Sequence, residues 1–343
     1  MRQRVEEYIS NLQDEIVAAL EKVDPNAPAF KRDSWLRAQG GRGLSCVFAV
    51  PTPPDGVAPQ HTVLEKAGVN ISVVHGTLPP PAIKQMRADH SSIPDIQTSV
   101  PFFAAGISLV IHPRSPHAPT VHANYRYFEI TKEPTDAQRE AGQPGDLVAW
   151  WFGGGADLTP SYLYEEDAVH FHKTLKAACD AHGADVFPTF KAWCDEYFFI
   201  PHRGESRGVG GIFFDDLCAE PHKRLADGAA RPKTADEIFA FVRAAGDAFV
   251  PSFVPVLERR CRMPSTEHER RWQLLRRGRY VEFNLVYDRG TKFGLVTPGA
   301  RIESILMSLP ETARWEYMSE LGTDPESREG KLMEVLKTAR AWV

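Results

Sequence analysis

The sequence predicts an α+β protein of one domain, in which helices cover an antiparallel β-sheet. Strand-like runs follow one another without intervening helices in the first half of the 343 residues, and helical patterns cluster later. In addition, no shift in composition marks a boundary between two domains. We therefore treat residues 1–343 as a single domain that begins with a helix and linker over 1–30.

The N-terminal part supplies the first helix and most of the predicted strands. Apolar residues recur at helical spacing over 2–23, and Asp24 and Pro25 end that helix. A polar stretch at 131–146, with several prolines and glycines, is typical of a loop. Strands are predicted at 44–50, 71–75, 107–112 and 120–129.

Helices dominate the prediction for the rest of the chain. One more strand, 148–152, is expected to end at the triple glycine that follows it. A capping box at 234–237 opens a helix of about 25 residues. The run 279–296 predicts a β-hairpin that turns at 288–290. Further helices are predicted at 162–181, 189–199, 301–320 and 326–341.

Composition narrows the classes of function. A formal net charge of -5 and a pI of about 6.2 give no reason to expect binding to nucleic acid or to an anionic membrane. The five cysteines lack C-x-x-C spacing, which is typical of reduced thiols inside a cell. The longest largely apolar run, 100–111, is shorter than the roughly 20 residues of a membrane-spanning helix. Because acidic residues in the first helix argue against a transit peptide, we expect a cytoplasmic protein without a membrane span.

The common nucleotide and hydrolase motifs do not occur in this sequence. Residues 40–43 do not complete G-x-G-x-x-G, and there is no Walker A loop. A G-x-S-x-G elbow and an H-E-x-x-H helix are missing as well. We therefore do not expect a nicotinamide, flavin or ATP enzyme of the common folds.

The strand at 120–129 places polar side chains in register. Because side chains alternate along a strand, His122, Asn124 and Arg126 share one face, and Ser108 lies on one face of the preceding strand. Burying such a row without partners is costly, so it needs water, a protein partner or a ligand. A solvated sheet face is the alternative interpretation.

Three further segments are candidates for chemistry. Asp157 follows the triple glycine and precedes a predicted helix, so it belongs to a ligand site or caps that helix. Arg203 and Arg207 lie on a glycine-rich loop that suits bidentate carboxylate binding, unless they form a surface network. Arg289 lies in the predicted hairpin turn, and Arg301 precedes a helix whose free N–H groups attract anions.

The twelve histidines give no metal signature by their spacing. His112, His122, His172 and His202 meet only if the fold brings them together. A metal site is therefore an alternative that the sequence pattern does not support by itself.

Taken together, these segments resemble the aerobic coproporphyrinogen oxidases. The resemblance rests on ISLVIHPR at 107–114, PTVHANYRYFE at 119–129, WWFGGGADLTP at 150–160, the segment 190–216 with its WCDEYF core, and 278–310. It covers nearly the whole chain, from residue 33 to residue 343. It implies a homodimer of single-domain subunits, each with a large curved antiparallel sheet flanked by α-helices on both faces.

The resemblance also implies an activity: oxygen-dependent decarboxylation of coproporphyrinogen-III in haem biosynthesis. The propionates on rings A and B become vinyl groups, which gives protoporphyrinogen-IX, CO2 and H2O2. By the same resemblance His122, Asp157 and Arg289 are catalytic, dioxygen is the co-substrate, and no metal or organic cofactor is expected. A divalent metal on the four histidines is the alternative. The implied substrate-binding residues are Ser108, Asn124, Tyr125, Arg126, Gly299, Ala300 and Arg301.

We expect different residues to bind the substrate, to activate a pyrrole and to transfer a proton. Arginines hold the carboxylates of a tetra-anionic substrate, an ionised Asp157 faces the pyrrole N–H groups, and His122 moves a proton. Because water must be kept away, we expect a closed cavity capped by mobile segments. Two other hypotheses stay open: a metal-dependent oxygenase or hydrolase, and a porphyrin-binding protein without turnover.

Overall fold

The protein is described from a computed structural model that covers residues 1–52, 55, 60–90, 93–226, 228–296 and 299–343. Its centre is a seven-stranded sheet in which every neighbouring pair of strands is antiparallel. In spatial order the strands are β1 (Lys31–Leu36), β2 (Gly41–Ala49), β3 (Leu64–Leu78), β4 (Val100–Pro113), β5 (Thr120–Thr131), β6 (Leu147–Thr159) and β9 (Gly210–Leu217). The strands β7 (Phe199–Ile200) and β8 (Glu205–Ser206) form a separate pair.

Helices lie on both faces of this sheet, which confirms the predicted α+β fold. In chain order they are α1 (Arg2–Val23), α2 (Pro80–Asp89), α3 (Asp136–Glu140), α4 (Glu165–Asp180), α5 (Val186–Tyr197), α6 (Ala235–Asp247), α7 (Phe249–Arg260), α8 (Glu267–Val286), α9 (Arg289–Val296), α10 (Ile302–Leu306) and α11 (Arg328–Lys337). Helix α1 is confirmed in place and in orientation, because its regularly spaced apolar residues are the ones that are buried.

The two faces of the sheet differ in character. We call one the core face: Val121, Ala123 and Tyr125 of β5 point that way and are buried with helices α1, α4, α6 and α7 in one apolar core. We call the other the site face, to which Ser108 and Asn124 point. Burial of apolar area on the core face supplies most of the driving force that holds the sheet, at about 25 cal/mol per Å².

The C-terminal helices cover part of the site face. Helix α10 touches the sheet through Ser304, whose hydroxyl lies 2.9 Å from that of Ser45 and whose carbonyl accepts from Asn70 at 3.0 Å. Close contact also depends on Gly68, since a Cβ there would lie 1.6 Å from the sulfur of Met307. Helix α10 and Met307 therefore pack on the site face over β2 and β3.

The predicted strand end at the triple glycine is wrong. Strand β6 continues through the glycines, and Gly153 pairs with Arg126 of β5. Side chains from neighbouring strands fill the space above the glycine: a Cβ on Gly153 would lie 2.6 Å from Asp215 Oδ1. Glycine is needed here for close approach, and it does not break the strand.

The predicted hairpin at 279–296 is wrong as well, because these residues belong to α8 and α9. A capping box of Thr266 and Glu269 opens α8. Tyr280 and Phe283 then bury the same side of the helix at a spacing of three residues. Packing of that side decided the structure against the strand-like composition of the run.

Smaller differences concern lengths and two missed elements. The helix predicted from 234 is two helices, α6 and α7, that meet at Ala248. The helices predicted at 301–320 and 326–341 are shorter, the predicted loop 131–146 contains α3, and β1 and α2 were not foreseen. The helices predicted at 162–181 and 189–199 are confirmed as α4 and α5.

One stretch in the described part of the chain, Ala235–Arg260, is long and apolar enough to cross a membrane by length and composition. It spans α6 and α7, and its apolar residues, such as Phe241, Phe249 and Phe253, are buried in the core. A buried core helix passes the same test of composition, so we assign this stretch to the core.

Candidate functional site

The site face brings together the polar residues that the strand pattern predicts. Ser108 of β4 pairs with Asn124 of β5, and His122 and Arg126 lie two residues to either side of Asn124. These four side chains are half-buried, whereas the residues between them on the core face are buried. The shared face of His122, Asn124 and Arg126 is confirmed. The described residues leave this patch partly accessible, and the closed cavity capped by mobile segments stays a prediction.

His122 and Asp157 form a hydrogen-bonded pair across neighbouring strands. The register of β5 and β6 places them opposite each other, with His122 Nδ1 2.8 Å from Asp157 Oδ1. The His122 side chain is 23% exposed, but Asp157 is only 1% exposed. The predicted position of Asp157 between a strand and a helix is wrong: it lies inside β6, beside the histidine.

Arg207 occupies the other side of Asp157. Its Nε donates to Asp157 Oδ2 at 3.1 Å, and its Nη2 donates to Oδ1 at 2.9 Å and to Oδ2 at 3.0 Å. Its Nη1 donates to Asn284 Oδ1 at 2.7 Å. Aromatic rings also enclose the guanidinium, with centroids 4.0 to 4.9 Å from its central carbon: those of Phe198, Tyr280 and Phe283.

These contacts keep Asp157 ionised. Burial alone would raise the pKa of the Asp157 carboxyl, but Arg207 and the hydrogen bond with His122 lower it more, so the pKa lies below its ordinary value. The carboxylate and the guanidinium neutralise each other where little water reaches them. Loss of either one would leave the other as a buried charge without an oppositely charged ion-pair partner, although Asp157 would keep His122 and Arg207 would keep Asn284 as hydrogen-bond partners.

A second ion pair lies next to the first on the site face. Arg126 Nη2 is 2.7 Å from Asp215 Oδ2, and Arg289 Nη2 is 3.7 Å from the same oxygen. Asp215 is 4% exposed, while the side chains of Arg126 and Arg289 are 40% and 41% exposed. Two arginines from distant parts of the sequence therefore share one buried carboxylate and still face solvent.

Asp215 is the site residue that sequence reasoning missed. Burial alone would raise the pKa of its carboxyl, but Arg126, His90 and Arg289 lower it more, so this group is also ionised. The available signal was a pair of carboxylates, Asp215 and Asp216, at the end of an apolar strand. That signal does not reveal the partner, because the pairing of β9 with β6 sets it.

The segment 299–301 lies at the opposite side of the sheet. Arg301 forms an ion pair with Asp33 of the edge strand β1. Gly299 packs against the turn between β1 and β2, where a Cβ would lie 2.7 Å from a side-chain oxygen. Four strand spacings, roughly 19 Å, separate β1 from β5. Gly299, Ala300 and Arg301 thus flank the patch from the β1 side, and Arg126 flanks it from β5.

Tyr125 is separated from the other predicted substrate residues. Its side chain lies on the core face, where it is 1% exposed and its hydroxyl donates to the Ala245 carbonyl of α6 at 2.9 Å. Strand alternation turns it away from Asn124 and Arg126. The side chain of Tyr125 therefore lies on the face opposite to that of Asn124, and its part in substrate binding stays a prediction from the resemblance.

The loop arginines expected to bind carboxylates already have partners inside the protein. Arg203 donates from Nε and Nη2 to Glu282 at 2.8 and 2.6 Å. Arg207 is held by Asp157, as described above. The surface-network interpretation therefore applies to Arg203, and a structural interpretation applies to Arg207.

The four histidines considered as metal ligands do not converge. His112 is buried, and its Nε2 lies 2.9 Å from the Ser308 carbonyl oxygen. His172 bonds within its own helix, α4, in the layer on the core face, and His202 is exposed and contacts Glu282. Over the residues that the structure describes, no group of three His, Cys, Asp or Glu side chains is arranged to hold a metal ion. The donor set therefore does not fit the metal alternative.

Comparisons with known proteins give a consistent family. The family model for coproporphyrinogen III oxidase matches residues 4–342. The chain is 52% identical to the mitochondrial oxygen-dependent coproporphyrinogen-III oxidase of Homo sapiens, over 100% of this chain and 67% of that protein. It is 52% identical to the oxygen-dependent coproporphyrinogen-III oxidase of Drosophila melanogaster, over 100% of this chain and 78% of that protein. For the chloroplastic enzyme of Glycine max the identity is 48%, over 100% and 80%.

The matched range contains all seven strands of the main sheet and every site-face residue named above. Identity of this level over the whole chain reflects common ancestry and a common fold. We conclude that the chain belongs to the coproporphyrinogen III oxidase family.

Proposed function

We propose that this protein uses dioxygen to decarboxylate coproporphyrinogen-III in haem biosynthesis. The propionates on rings A and B become vinyl groups, and the product is protoporphyrinogen-IX. Each conversion breaks one C–C bond, which releases CO2, and one C–H bond at the propionate carbon next to the ring. Dioxygen receives the two electrons and two protons and leaves as H2O2.

One observation carries this proposal beyond family membership. A histidine held by a buried carboxylate, His122, lies in an accessible patch with cationic groups on two sides. Between these groups the patch is polar, with Ser108 and Asn124 side by side and half-buried. This combination suits a large ligand with several negative charges that needs proton transfer at one of its side chains.

Half-exposed arginines are the groups we propose for binding the substrate propionates. Arg126 and Arg289 lie together at the β5 side, and Arg301 lies at the β1 side. Each charge-assisted contact with a carboxylate contributes about 1.5–3 kcal/mol. An acidic protein needs such local positive charge to bind a tetra-anion. We propose Ser108 and Asn124 as neutral contacts between the two cationic flanks.

We propose that the oxidation needs no metal and no organic cofactor. A porphyrinogen is a reduced, electron-rich macrocycle, so the substrate can itself supply the electrons that dioxygen takes up. His122 is the group we propose for proton transfer at the propionate, because histidine exchanges protons near neutral pH.

The test is release of CO2 from porphyrinogen labelled in its propionate carboxyls. We expect two CO2 for each protoporphyrinogen under air, with H2O2, and none under nitrogen. Binding without CO2 release under air would overturn the proposal in favour of a porphyrin carrier. Activity that a chelator abolishes and a divalent metal restores would overturn the cofactor-free reaction in favour of a metal-dependent oxygenase.

We propose that the protein is a homodimer. An exposed apolar stretch at the end of α8 and in α9 supports this, since Val286 is 48% and Val296 is 78% exposed. Light scattering should give twice the mass of the 38.3 kDa chain. Val296→Asp should weaken the dimer, and Leu147→Asp, at an exposed site on β6, should not. A monomeric wild-type protein would contradict the proposal.

We propose a cytoplasmic location. The five cysteines support this, because all of them are free and buried, which is typical of a protein in a reducing compartment. The human and soybean relatives are named mitochondrial and chloroplastic, so fractionation of cells should be done against organelle markers. Recovery of the protein inside an organelle would overturn the proposal.

A further inference from the structure

Both oxygens of Asp157 are engaged inside the protein. Oδ1 accepts from His122 and Arg207, and Oδ2 accepts from Arg207 through two nitrogens. The residue is 1% exposed. We infer that Asp157 and Arg207 are positioning residues, which act on the reaction through His122 and do not touch the porphyrinogen. This inference rests on the proposed function, and it replaces our expectation that Asp157 faces the pyrrole N–H groups.

The first step of the inference is the assignment of the two ring nitrogens of His122. An ionised carboxylate accepts a proton from Nδ1, so Asp157 fixes the neutral imidazole as the Nδ1–H tautomer. Nε2 is then the nitrogen that takes up or gives a proton. Since the His122 side chain is 23% exposed and Asp157 is buried, Nε2 is the part of this pair that a ligand can reach.

The second step is the role of Arg207. Three hydrogen bonds to Asp157 fix the plane of the carboxylate, and Asn284 with the surrounding rings fixes the guanidinium. Phe198 connects the two ends, because its ring lies 4.0 Å from the guanidinium carbon and meets the His122 ring edge-on at 6.0 Å. Arg207 therefore holds the carboxylate ionised and in one orientation, which in turn holds the imidazole.

The third step is the backbone that carries the pair. Gly211 of β9 lies opposite Asp157 in the sheet, where a Cβ would lie 1.9 Å from the Ala156 carbonyl oxygen and 3.0 Å from Asp157 Cα. The two strands are therefore in close contact at this point. This contact holds the backbone of Asp157, and the hydrogen bonds to His122 and Arg207 hold its carboxylate, so we expect Asp157 to stay in place during the reaction.

A double-mutant cycle tests whether Asp157 acts through His122. We expect Asp157→Asn to lower kcat about 100-fold or more, with KM changed less than about threefold, since the wrong imidazole tautomer becomes available. In the His122→Ala background the same change should lower kcat less than about twofold. If Asp157→Asn lowers kcat by the same factor in both backgrounds, or mainly raises KM, Asp157 touches the substrate and the inference is overturned.

Asp167 offers a matched control. It is a buried carboxylate of α4, 4% exposed, and it is held by Arg259 and Arg260 of α7, away from the site face. Asp167→Asn likewise removes the charge of a buried carboxylate that is held by arginine, although Arg260 is 12% and Arg259 42% exposed, so we expect folding to be affected but kcat of the folded fraction to be retained within about twofold. A loss of kcat as large as that of Asp157→Asn would show a general effect of unpaired charge and would overturn the inference.

A spectroscopic measurement on the wild-type protein keeps the inference testable if Asp157→Asn does not fold. Nitrogen-15 spectra of the histidines, with His122 assigned by its loss in His122→Ala, should show a protonated Nδ1 and an unprotonated Nε2 when the ring is neutral. The opposite tautomer would overturn the inference. This readout needs no turnover, so it is distinguishable from a failure of the proposed function, which would show as a wild-type protein that releases no CO2.

Discussion

Two carboxylates on the site face, Asp157 and Asp215, are both buried and both paired with arginine, yet their partners differ in exposure. Arg207, the partner of Asp157, has a side chain that is 2% exposed. Arg126, the partner of Asp215, has a side chain that is 40% exposed. The first pair is closed on all sides by protein groups, and the second presents a guanidinium to solvent.

The difference shows how one kind of interaction serves two purposes. A buried pair such as Asp157 and Arg207 has little freedom, so it can hold a third group, His122, in a defined orientation. A pair with an exposed guanidinium keeps donors available for another anion, so Arg126 can bind a ligand while Asp215 anchors it. We therefore expect substitutions at the first pair to affect stability and kcat, and those at the second to affect KM.

The largest expected difference between the two pairs is in the unfolding free energy that is lost when the arginine of each pair is replaced. Arg207→Met leaves Asp157 buried without its charged partner and should cost about 3–5 kcal/mol of unfolding free energy. Arg126→Met should cost only about 1 kcal/mol, because Asp215 keeps Arg289 within reach and the lost guanidinium was partly hydrated. Urea unfolding at one pH measures both values. Equal costs would mean that the two pairs do not differ in the way their exposure indicates.

Substrate affinity should show the opposite order. Arg126→Met removes a charge-assisted contact worth about 1.5–3 kcal/mol, so we expect KM for the porphyrinogen to rise about 10- to 100-fold. Steady-state kinetics measure this, with Arg203→Met as the control, because Arg203 is held by Glu282. An unaltered KM in Arg126→Met, or an equal rise in the control, would contradict ligand binding at this pair.

Low pH should reduce the stabilisation that both ion pairs contribute. The pKa values of Asp157 and Asp215 lie below their ordinary values, since the arginines outweigh the opposing effect of burial. The unfolded chain therefore takes up these protons at higher pH, and the stabilisation is complete above about pH 4 and is lost as the pH falls further. Asp157→Asn should lose stability less steeply than wild type below about pH 4. Urea unfolding at several pH values measures the slopes.

Two buried histidines also make the stability of the protein depend on pH, in wild type and variant alike. Burial lowers the pKa of His112 and of His172 to about 3. Because a histidine in the unfolded chain takes up a proton below about pH 6.5, each of them costs about 1.4 kcal/mol per pH unit from there down to about pH 3. Wild type and Asp157→Asn share this loss, so their difference isolates Asp157. Identical slopes below pH 4 would show that Asp157 is not an ionised, stabilising group.

The smallest effect should come from the glycine beneath the exposed pair. A Cβ on Gly153 would lie 2.6 Å from Asp215 Oδ1 and 2.9 Å from Arg126 Nε. Arg126 Nε can shift, but the Asp215 carboxylate is buried, so we expect Gly153→Ala to raise KM about threefold to tenfold with about 1 kcal/mol of destabilisation. Kinetics and urea unfolding of the variant measure the two quantities. A large loss of stability without a change in KM would show that the added Cβ strains β6 and does not displace Arg126 from Asp215.

The sequence by itself determined the features that depend on local periodicity. The apolar spacing in α1, the capping box at Thr234 and the alternation that puts His122, Asn124 and Arg126 on one face all follow from the geometry of a single helix or strand. Family motifs added the identity of the enzyme. None of these required knowledge of which elements are neighbours.

Tertiary structure alone decided the partners. Asp157 meets Arg207 because β9 pairs with β6, and Arg126 meets Asp215 for the same reason. Tertiary packing also decided that β6 continues through its glycines and that α8 is a helix. Local composition favoured a strand break at the glycines and a hairpin at 279–296. The physical reason is common to all of these: which charges pair, and which side chains are buried, depends on elements brought together from distant parts of the chain, and local propensity is weaker than that packing.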